Sequence, residues 1–371
     1  MSCVTMLIGA DVAPTDGSEA AFLAGDAQRL LHGGLREVWE SADLRVFNLE
    51  TPLCDASSPI EKCGPALRAP TACVRGLAAL RPDCVALSNN HIFDQGAAGL
   101  AATLDTLQEA GIDAFGAGMS LGEADAPCVL RVNGVRVCVY AVCEHEFSSA
   151  GTDAPGANAF DALEIGDRVR ALKRACDHLV VLYHGGREYY PYPSPQLQKR
   201  CRKMADCGAD AVICQHSHCI GSYERYRGGV LVYGQGNFLF DLDDAPCFDR
   251  GLLVRLSFED GKTEPSFVPI VRRDHGAALA AGGEAEEICG GFLARSAELA
   301  QPGFVQAQYR AYAEVQREKM LKVFLSGNTL LRAVNLLYGR RPTRVYGRAA
   351  QLAIKNSLQC EALNELMTEG L

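Results

Sequence analysis

The sequence has no apolar run long enough to cross a bilayer. Its first apolar run, Val4 to Gly9, is too short for a span and has neither a basic start nor a cleavage region. Basic clusters interleaved with aromatics are also missing, and 45 acidic residues against 36 basic ones give a formal charge of −9. Nucleic-acid binding therefore has little support. We expect a cytoplasmic protein without a membrane anchor.

Paired CxxC motifs are absent as well, although the chain contains 16 cysteines. Without a secretory signal, a reduced interior is the simplest account, in which Cys201, Cys207, Cys214 and Cys219 fill core space instead of binding zinc. No internal repeat or low-complexity linker interrupts the 371 residues. That length suits one large domain plus an extension.

Alternating strand and helix signals run from the start of the chain to about Gly116. Asn133-Gly134 predicts a hairpin turn inside Val129 to Val142. The other predicted elements are helices over Ala97 to Ala110, Asp161 to Cys176 and Gln196 to Cys207, and strands of a second sheet over Gly229 to Asp241 and Leu252 to Phe258.

The composition and periodicity of the chain change after about Asp274. Three further helices are predicted, over Gln306 to Leu325, Leu330 to Tyr338 and Val345 to Leu366. We therefore divide the chain into a domain of residues 1–275 and a helical C-terminal extension of residues 276–371. The extension is predicted either to cap a functional site or to act as a scaffold or oligomer contact, and the oligomeric state is left open.

Polar residues of the metal-binding kind stand at the ends of five apolar runs. They are Asp11, Glu50, the triplet Asn89-Asn90-His91, His184, and the pair His216 and His218. In open α/β sheets such residues converge in the crevice beyond the carboxyl ends of the strands. Taken alone, each has an ordinary structural explanation, such as a turn for Asn89-Asn90 or a helix cap for Asp11. Taken together, they favour a metal site.

The donor set indicates the kind of site. Two carboxylates, amide oxygens and several imidazoles suit two divalent ions of the Mn, Fe or Zn kind better than one. Two ions about 3.5 to 4 Å apart are typical of hydrolysis at phosphorus. In His216-Ser217-His218 the spacing of two is compatible with an extended segment in which both imidazoles share one face.

Six motifs occur in order between Gly9 and Phe238. They are GADV at Gly9–Val12, FNLETPL at Phe47–Leu53, SNNHIFDQG at Ser88–Gly96, YHGGRE at Tyr183–Glu188, QHSH at Gln215–His218 and YGQGNF at Tyr233–Phe238. On these motifs the chain resembles the CapA capsule-synthesis family, of the poly-gamma-glutamate synthesis type, within the calcineurin-like metallophosphoesterase superfamily. The resemblance implies an α/β fold, a four-layer αββα sandwich.

The resemblance also implies a role for each residue at the site. Asp11 and His218 would hold one metal ion, Glu50 would bridge, and Asn90, His184 and His216 would hold the second. His91 would donate a proton to the leaving group. The superfamily usually has a histidine two places after its first aspartate, and here that place is Ala13. One ion is therefore expected to be held more weakly.

Supporting roles are predicted for residues around these. Asp94 is expected either to accept the imidazole N–H of His91 and fix its tautomer, or to cap the following helix. Arg187 is expected either to bind a phosphate or carboxylate group of the substrate or to be a surface arginine. Asn89 is assigned to substrate binding, and Glu144-His145-Glu146 is a candidate lining of the same crevice.

The predicted function is that of a metal-dependent hydrolase acting on a phosphoester or a gamma-glutamyl polymer. The alternative is a non-catalytic polymer-binding or capsule-synthesis accessory protein that keeps the fold. The missing histidine at Ala13 is the best argument for this alternative.

Overall fold

The computed structural model describes residues 3–241, 247–324, 329–339, 341–360 and 363–364. The chain forms two compact units, Met1–Val305 and Gln306–Leu371. The strands are β1 (Val4–Val12), β2 (Leu31–His32), β3 (Leu44–Leu49), β4 (Cys84–Ala86), β5 (Ala114–Phe115), β6 (Ala117–Gly118), β7 (Cys128–Val132), β8 (Val135–Cys143), β9 (Gly156–Ala157), β10 (His178–His184), β11 (Ala211–Gln215), β12 (Tyr223–Tyr226), β13 (Gly229–Val232), β14 (Asn237–Leu239), β15 (Arg250–Glu259), β16 (Lys262–Arg273) and β17 (Gly276–Leu279). The helices are α1 (Glu19–Ala24), α2 (Ala27–Leu30), α3 (Leu35–Glu40), α4 (Val74–Ala79), α5 (Gly96–Glu109), α6 (Leu121–Ala124), α7 (Ile165–Ala175), α8 (Pro195–Asp206), α9 (Gly283–Glu298), α10 (Phe304–Val323), α11 (Thr329–Leu337), α12 (Pro342–Val345) and α13 (Arg348–Gln359), with a 3₁₀ turn at Thr71–Cys73.

Two large sheets form the centre of the first unit. Within the described ranges, the first sheet has the strand order β2-β17-β16-β15-β1-β3-β4-β5, with β14 also paired to β1, and the second has the order β12-β13-β11-β10-β8-β7. Strands β1, β3, β4 and β5 are parallel, as are β8, β10, β11 and β13. The prediction that residues 252–258 belong to the second sheet is wrong, because β15 pairs antiparallel with β1 of the first.

The two sheets pack face to face and helices cover their outer faces. Met6 and Ile8 of β1 lie in one apolar cluster with Val139 and Leu182 of the second sheet. Leu7, between them, belongs instead to the cluster that contains α1, α3, α4 and α5, as alternation along a strand requires. Helices α7 and α8 cover the second sheet in the same way. The predicted four-layer αββα sandwich is confirmed.

Local signals place several elements of this unit. The three predicted helices are confirmed as α5, α7 and α8. Helix α8 begins with Pro195, and the Ser194 hydroxyl before it accepts the Leu197 N–H at 3.0 Å. The predicted hairpin is formed by β7 and β8, and Asn133 and Gly134 have φ values of 49° and 81°, as a type I′ turn requires.

The predicted strand over residues 229–241 is wrong, because the chain changes sheets within it. Strand β13 lies in the second sheet, whereas β14 pairs with β1 of the first. The crossing depends on Gly234 and Gly236, whose φ values are 149° and 72°. A Cβ on Gly234 would lie 2.7 Å from Ser217 Oγ. The Gln235 side chain fixes the crossing by donating to backbone carbonyls of β1 and β15 at 3.0 Å.

The C-terminal third contributes to both units. Up to Val305 it belongs to the first unit, where β17 pairs with β16 and α9 packs on β16. The predicted division after residue 275 stays a prediction. The three predicted C-terminal helices are found as α10, α11 and α13. Residues 325, 361–362 and 365–366 of those predictions lie outside the described residues.

In the second unit, Thr343 and Glu318 are hydrogen-bonded, and the Tyr346 hydroxyl donates to the Phe324 carbonyl at 2.6 Å. The predicted role of the extension stays a prediction. Among the helices that the structure describes, none combines the length and the apolar character needed to span a bilayer.

Candidate metal centre

Strands of both sheets bring polar side chains to one place. The first sheet supplies Asp11 in β1, Glu50 directly after β3 and Asn90 after β4, and the second supplies His184 at the end of β10 and His216 and His218 after β11. Asn90 is half-buried and the other five are buried. Parallel strands whose carboxyl ends share an edge explain why residues so far apart in sequence meet here.

These side chains form two donor groups that share one carboxylate. The first group is Glu50, His184 and His216, the second is Asp11, Glu50 and His218, and within each group the donor atoms lie within 4.8 Å of one another. Asn90 Oδ1 lies 3.0 Å from His184 Nε2 and so joins the first group. His216 Nδ1 lies 3.1 Å from the same nitrogen. The structure thus brings the predicted ligands together, and their role as ligands stays a prediction.

The Glu50 carboxylate is the least compensated group of the centre. It is fully buried, and in the part of the chain that the structure describes neither of its oxygens accepts a hydrogen bond. Its Oε1 lies 3.3 Å from His184 Nε2. Burial, and then the nearby Asp11 carboxylate, raise the pKa of Glu50 well above its ordinary value. A buried carboxylate without a donor is costly, so these residues fit a site for cations.

The two histidines of the first group favour the neutral form. Burial lowers the pKa of His184. Burial, and then the imidazole of His184, lower the pKa of His216 well below its ordinary value. Neutral imidazole is the form that binds a metal ion. The donor chemistry of this group therefore fits a divalent cation.

Hydrogen bonds hold the other ligand candidates in place. Asn48 Nδ2 donates to Asp11 Oδ1 at 2.8 Å, and the His216 backbone N–H donates to Asp11 Oδ2 at 3.0 Å. His218 Nδ1 lies 2.9 Å from Asn237 Oδ1, which leaves Nε2 for a metal ion. Sequence reasoning did not select Asn48 or Asn237. Their signal was their position inside two of the six motifs.

A comparison with protein families decides the relationship of the chain. Residues 5–242, which contain every residue of both donor groups, match the family "Bacterial capsule synthesis protein PGA_cap". The chain belongs to this family. The predicted resemblance to capsule-synthesis proteins of the poly-gamma-glutamate type is therefore confirmed.

Similar proteins are known from several bacteria. The chain is 34% identical over 190 residues to the capsule biosynthesis protein CapA of Bacillus anthracis, covering 50% of this chain and 46% of that protein. It is 32% identical over 157 residues to the PGA biosynthesis protein CapA of Bacillus subtilis strain 168, covering 42% and 41%. It is 30% identical over 216 residues to a probable polyglutamine synthesis accessory protein of Mycobacterium tuberculosis, covering 55% and 57%. The chain thus spans about half the length of these curated relatives.

Solved structures of similar proteins are more distant. A novel phosphatase of Mycoplasma pneumoniae has a TM-score of 0.47 and 13% identity, covering 73% of this chain and 94% of that one. A hypothetical protein of Thermus thermophilus has a TM-score of 0.45 and 16% identity, covering 72% and 99%.

The QHSH segment has an unusual backbone. The extended segment with which the spacing of His216 and His218 is compatible does not form, because β11 ends at Gln215 and the two histidines have φ values of 86° and 51°. Left-handed conformations are uncommon for residues with a side chain and persist where surrounding contacts hold them. Here the contact is the His216 N–H bond to Asp11.

Ala13 stands two places after Asp11, where the resemblance implied a further histidine. It is buried against Phe240 and Phe248. The centroids of these two rings lie 5.4 and 4.9 Å from that of His218. Apolar rings therefore surround this side of the Asp11–Glu50–His218 group. That group keeps three donors, whereas the other group has four when Asn90 is counted.

This difference predicts two unequal metal affinities. Because one group has a donor fewer, we expect calorimetric titration of metal-free protein with Mn²⁺ or Zn²⁺ to give two sites whose dissociation constants differ by about 10- to 100-fold. His218→Ala should remove only the weaker site. Two sites of equal affinity would contradict the prediction.

His91 and Asp94 form a pair beside the centre. His91 Nδ1 lies 2.6 Å from Asp94 Oδ2, and the carboxylate is fully buried while the imidazole is 12% exposed. The cap position of α5 is Gln95, which makes no side-chain cap bond. The geometry therefore favours the alternative in which Asp94 orients His91.

Asn89 and Arg187 lie in different settings. Asn89 Oδ1 accepts the backbone N–H groups of His91 and Ile92 at 3.1 and 2.8 Å, and its Nδ2 donates to Asn48 Oδ1 at 3.0 Å. Asn89 is fully buried, and these hydrogen bonds stabilise the turn that carries His91.

Arg187 is half-buried, and its charge is one of the smaller causes, after burial, that lower the pKa of His216. Substrate binding by either residue stays a prediction.

The Glu144-His145-Glu146 segment contributes to neither donor group. Glu144 Oε1 instead accepts from Arg200 Nη1 at 2.9 Å and from the Tyr183 hydroxyl at 3.2 Å. His145 and Glu146 are exposed.

A cavity of about 380 Å³ adjoins the centre. Its lining includes Ala13, Thr51, Leu67, Arg68, Phe240 and Asp241. Ala13 and Thr51 follow Asp11 and Glu50 by two residues and one residue. The cavity therefore lies beside the residues that closely follow two of the ligand candidates.

Proposed function

We propose that the chain is a metal-dependent hydrolase that cleaves a phosphoester at a centre of two divalent cations of the Mn, Fe or Zn kind. The observation that supports this most directly is the Glu50 carboxylate. It is fully buried between the two donor groups and, among the described residues, accepts no hydrogen bond. In a protein that kept the fold only as a scaffold, a buried carboxylate without a partner would be a cost in stability and bring no benefit. A pair of bound cations would compensate its negative charge.

When bound, the two cations would polarise the phosphoryl group and activate a water molecule for attack. The residues of the chain would bind and orient. As an imidazolium, His91 would give the proton on Nε2 to the leaving oxygen and keep the proton on Nδ1, which is engaged by Asp94. Asn48 would keep the Asp11 carboxylate in its orientation, and Asn237 would do the same for the His218 imidazole.

A second candidate function is polymer binding without turnover. The observation that favours it is the aromatic cluster at Ala13, which leaves the Asp11–Glu50–His218 group with three donors. An accessory role is also what the name of the Mycobacterium tuberculosis relative states for that protein. The substrate or ligand would then be a gamma-glutamyl polymer.

The test is elemental analysis of the purified protein, with and without Mn²⁺ reconstitution, combined with turnover of phosphomonoesters, phosphodiesters and gamma-glutamyl amides. We expect two ions per chain and metal-dependent phosphoester cleavage that falls about 100-fold in His91→Gln, since general acid catalysis is lost. His145→Gln, at an exposed histidine outside both donor groups, is the matched control. One ion or none, with no turnover, would favour the polymer-binding candidate.

A further inference from the structure

Lys62 is a buried lysine beside the His91–Asp94 pair. It lies in the segment between β3 and α4, and its side chain is only 4% exposed. Its Nζ contacts Asp94 Oδ1 and lies 3.3 Å from the Asn90 carbonyl oxygen and 3.4 Å from His91 Nδ1. Nothing in the sequence pattern marks this lysine, because it lies in a loop about thirty residues before its partners.

Both oxygens of the Asp94 carboxylate are engaged. Oδ1 accepts from Lys62, and Oδ2 accepts from the Leu67 backbone N–H at 2.6 Å and lies 2.6 Å from His91 Nδ1. A buried carboxylate needs a partner of opposite charge or several donors. Among the described residues, Lys62 is the only lysine or arginine in an ion pair with Asp94. The carboxylate therefore cannot rotate without losing one of these contacts.

The chemistry of the three groups fixes the tautomer of His91. A lysine ammonium only donates hydrogen bonds, and a carboxylate only accepts them. The shorter contact of His91 Nδ1 is with the carboxylate, 2.6 Å against 3.4 Å to Lys62. Nδ1 is therefore the donor to Asp94, and Nε2 faces away from the pair.

We propose that Lys62 is a positioning residue that acts through Asp94. By holding Oδ1 it directs Oδ2 at His91, which keeps a proton on Nδ1. Nε2 is then the nitrogen that takes up the second proton and, from the imidazolium form, gives it to a leaving group. This inference rests on the proposed function, in which His91 is the proton donor. Lys62 itself, at 4% exposure, does not reach a substrate.

The loop around Lys62 is also held by hydrogen bonds that do not involve Lys62. Ser58 N–H donates to Gln95 Oε1 at 2.7 Å, and Gln95 Nε2 donates to the Leu67 carbonyl at 3.0 Å. Ile60 N–H donates to the Asp94 carbonyl at 3.0 Å. A variant at position 62 is therefore expected to keep the loop folded and to change only the charge beside Asp94.

The first experiment compares Lys62→Met, Lys62→Arg and the control Arg75→Met, an exposed arginine on α4. Nitrogen-15 NMR of the histidine rings in the Zn²⁺-loaded protein reports which ring nitrogen of His91 carries the proton. We expect Lys62→Met to lose the Nδ1–H signature of His91, and Lys62→Arg and Arg75→Met to keep it. An unchanged His91 signature in Lys62→Met would overturn the proposal.

The second experiment uses leaving groups of different basicity. A poor leaving group, such as an alkoxide, needs a proton donor, whereas nitrophenolate leaves without one. We expect Lys62→Met to lower kcat about 30-fold for an alkyl phosphoester with little change in KM, and to affect a nitrophenyl ester far less. Combining Lys62→Met with His91→Gln should lower kcat no further than His91→Gln alone.

Equal losses of kcat for both esters would show that Lys62 has a purely structural role. If the wild-type chain cleaves neither ester, the proposed function fails, and the NMR comparison still decides the role of Lys62.

Discussion

His216→Ala is expected to lower metal-dependent turnover by about a thousand-fold or more and to reduce the bound metal to one ion per chain or fewer. The physical reason is that His216 Nδ1 and Asn90 Oδ1 both lie within about 3 Å of His184 Nε2, so these donors converge on one point. Removing one imidazole leaves a group that no longer surrounds a cation. Metal content by mass spectrometry and kcat on the best phosphoester are the measurements.

The matched control for this variant is His178→Gln. His178 is also a buried histidine and lies on β10, the strand that ends in His184, but it is hydrogen-bonded to Thr263 at the opposite end. We expect it to lower thermal stability while metal content and kcat stay within about twofold of wild type. Retention of both ions in His216→Ala would remove His216 from the ligand set.

Glu50→Gln is expected to change stability in opposite directions with and without metal. In metal-free protein the buried Glu50 carboxylate has no hydrogen-bond donor in the described structure, so the amide should raise the free energy of unfolding by about 1–3 kcal/mol at neutral pH. With metal the same change removes the proposed shared ligand, and both the metal-dependent gain in melting temperature and turnover should be lost.

The pH dependence of this effect has a definite sign. Because burial raises the pKa of Glu50 in the folded state, the folded protein binds more protons than the unfolded chain above pH 4.5. The stability of metal-free wild type therefore falls as the pH rises through the window above 4.5, and below that window the contribution of Glu50 is fully favourable. The advantage of Glu50→Gln should thus be large at pH 8 and vanish near pH 4, which thermal unfolding in EDTA measures.

A control variant at another carboxylate distinguishes the expected stabilisation by Glu50→Gln from a general effect of neutralising a carboxylate. Glu224 accepts from Arg202 Nη2 at 2.6 Å and from the Tyr233 hydroxyl at 2.6 Å. Glu224→Gln should therefore lower stability both with and without metal. A Glu50→Gln variant that behaves like Glu224→Gln would contradict an uncompensated carboxylate at position 50.

The residues at strand ends could be predicted from the sequence because two simple signals coincide there. An apolar run predicts a buried strand, and a polar residue at its end predicts the edge of the sheet where ligands gather. Asp11, Glu50 and His184 carry both signals, and the structure brings them together. The αββα layers followed from the family resemblance, since periodicity alone does not say which sheet a strand joins.

Other features of the centre depend on long-range contacts that no local pattern reports. Lys62 lies in a loop without periodicity. Its partner Asp94 lies 32 residues later in the chain, so no local pattern indicates that the lysine is buried. The change of sheets at Gly234 and Gly236 interrupts a run that reads as one strand. The left-handed backbone of His216 is held by Asp11, 205 residues away.

The supply of proposed ligands from both sheets ties the order of folding to cation binding. Three of the proposed ligands, Asp11, Glu50 and Asn90, come from the first sheet, and the three histidines come from the second. A partly folded chain with only one sheet assembled presents half of the donors, and neither half contains a complete group. We therefore expect cation binding to follow the docking of the two sheets. Added metal ions should then lower the rate of unfolding far more than they raise the rate of folding.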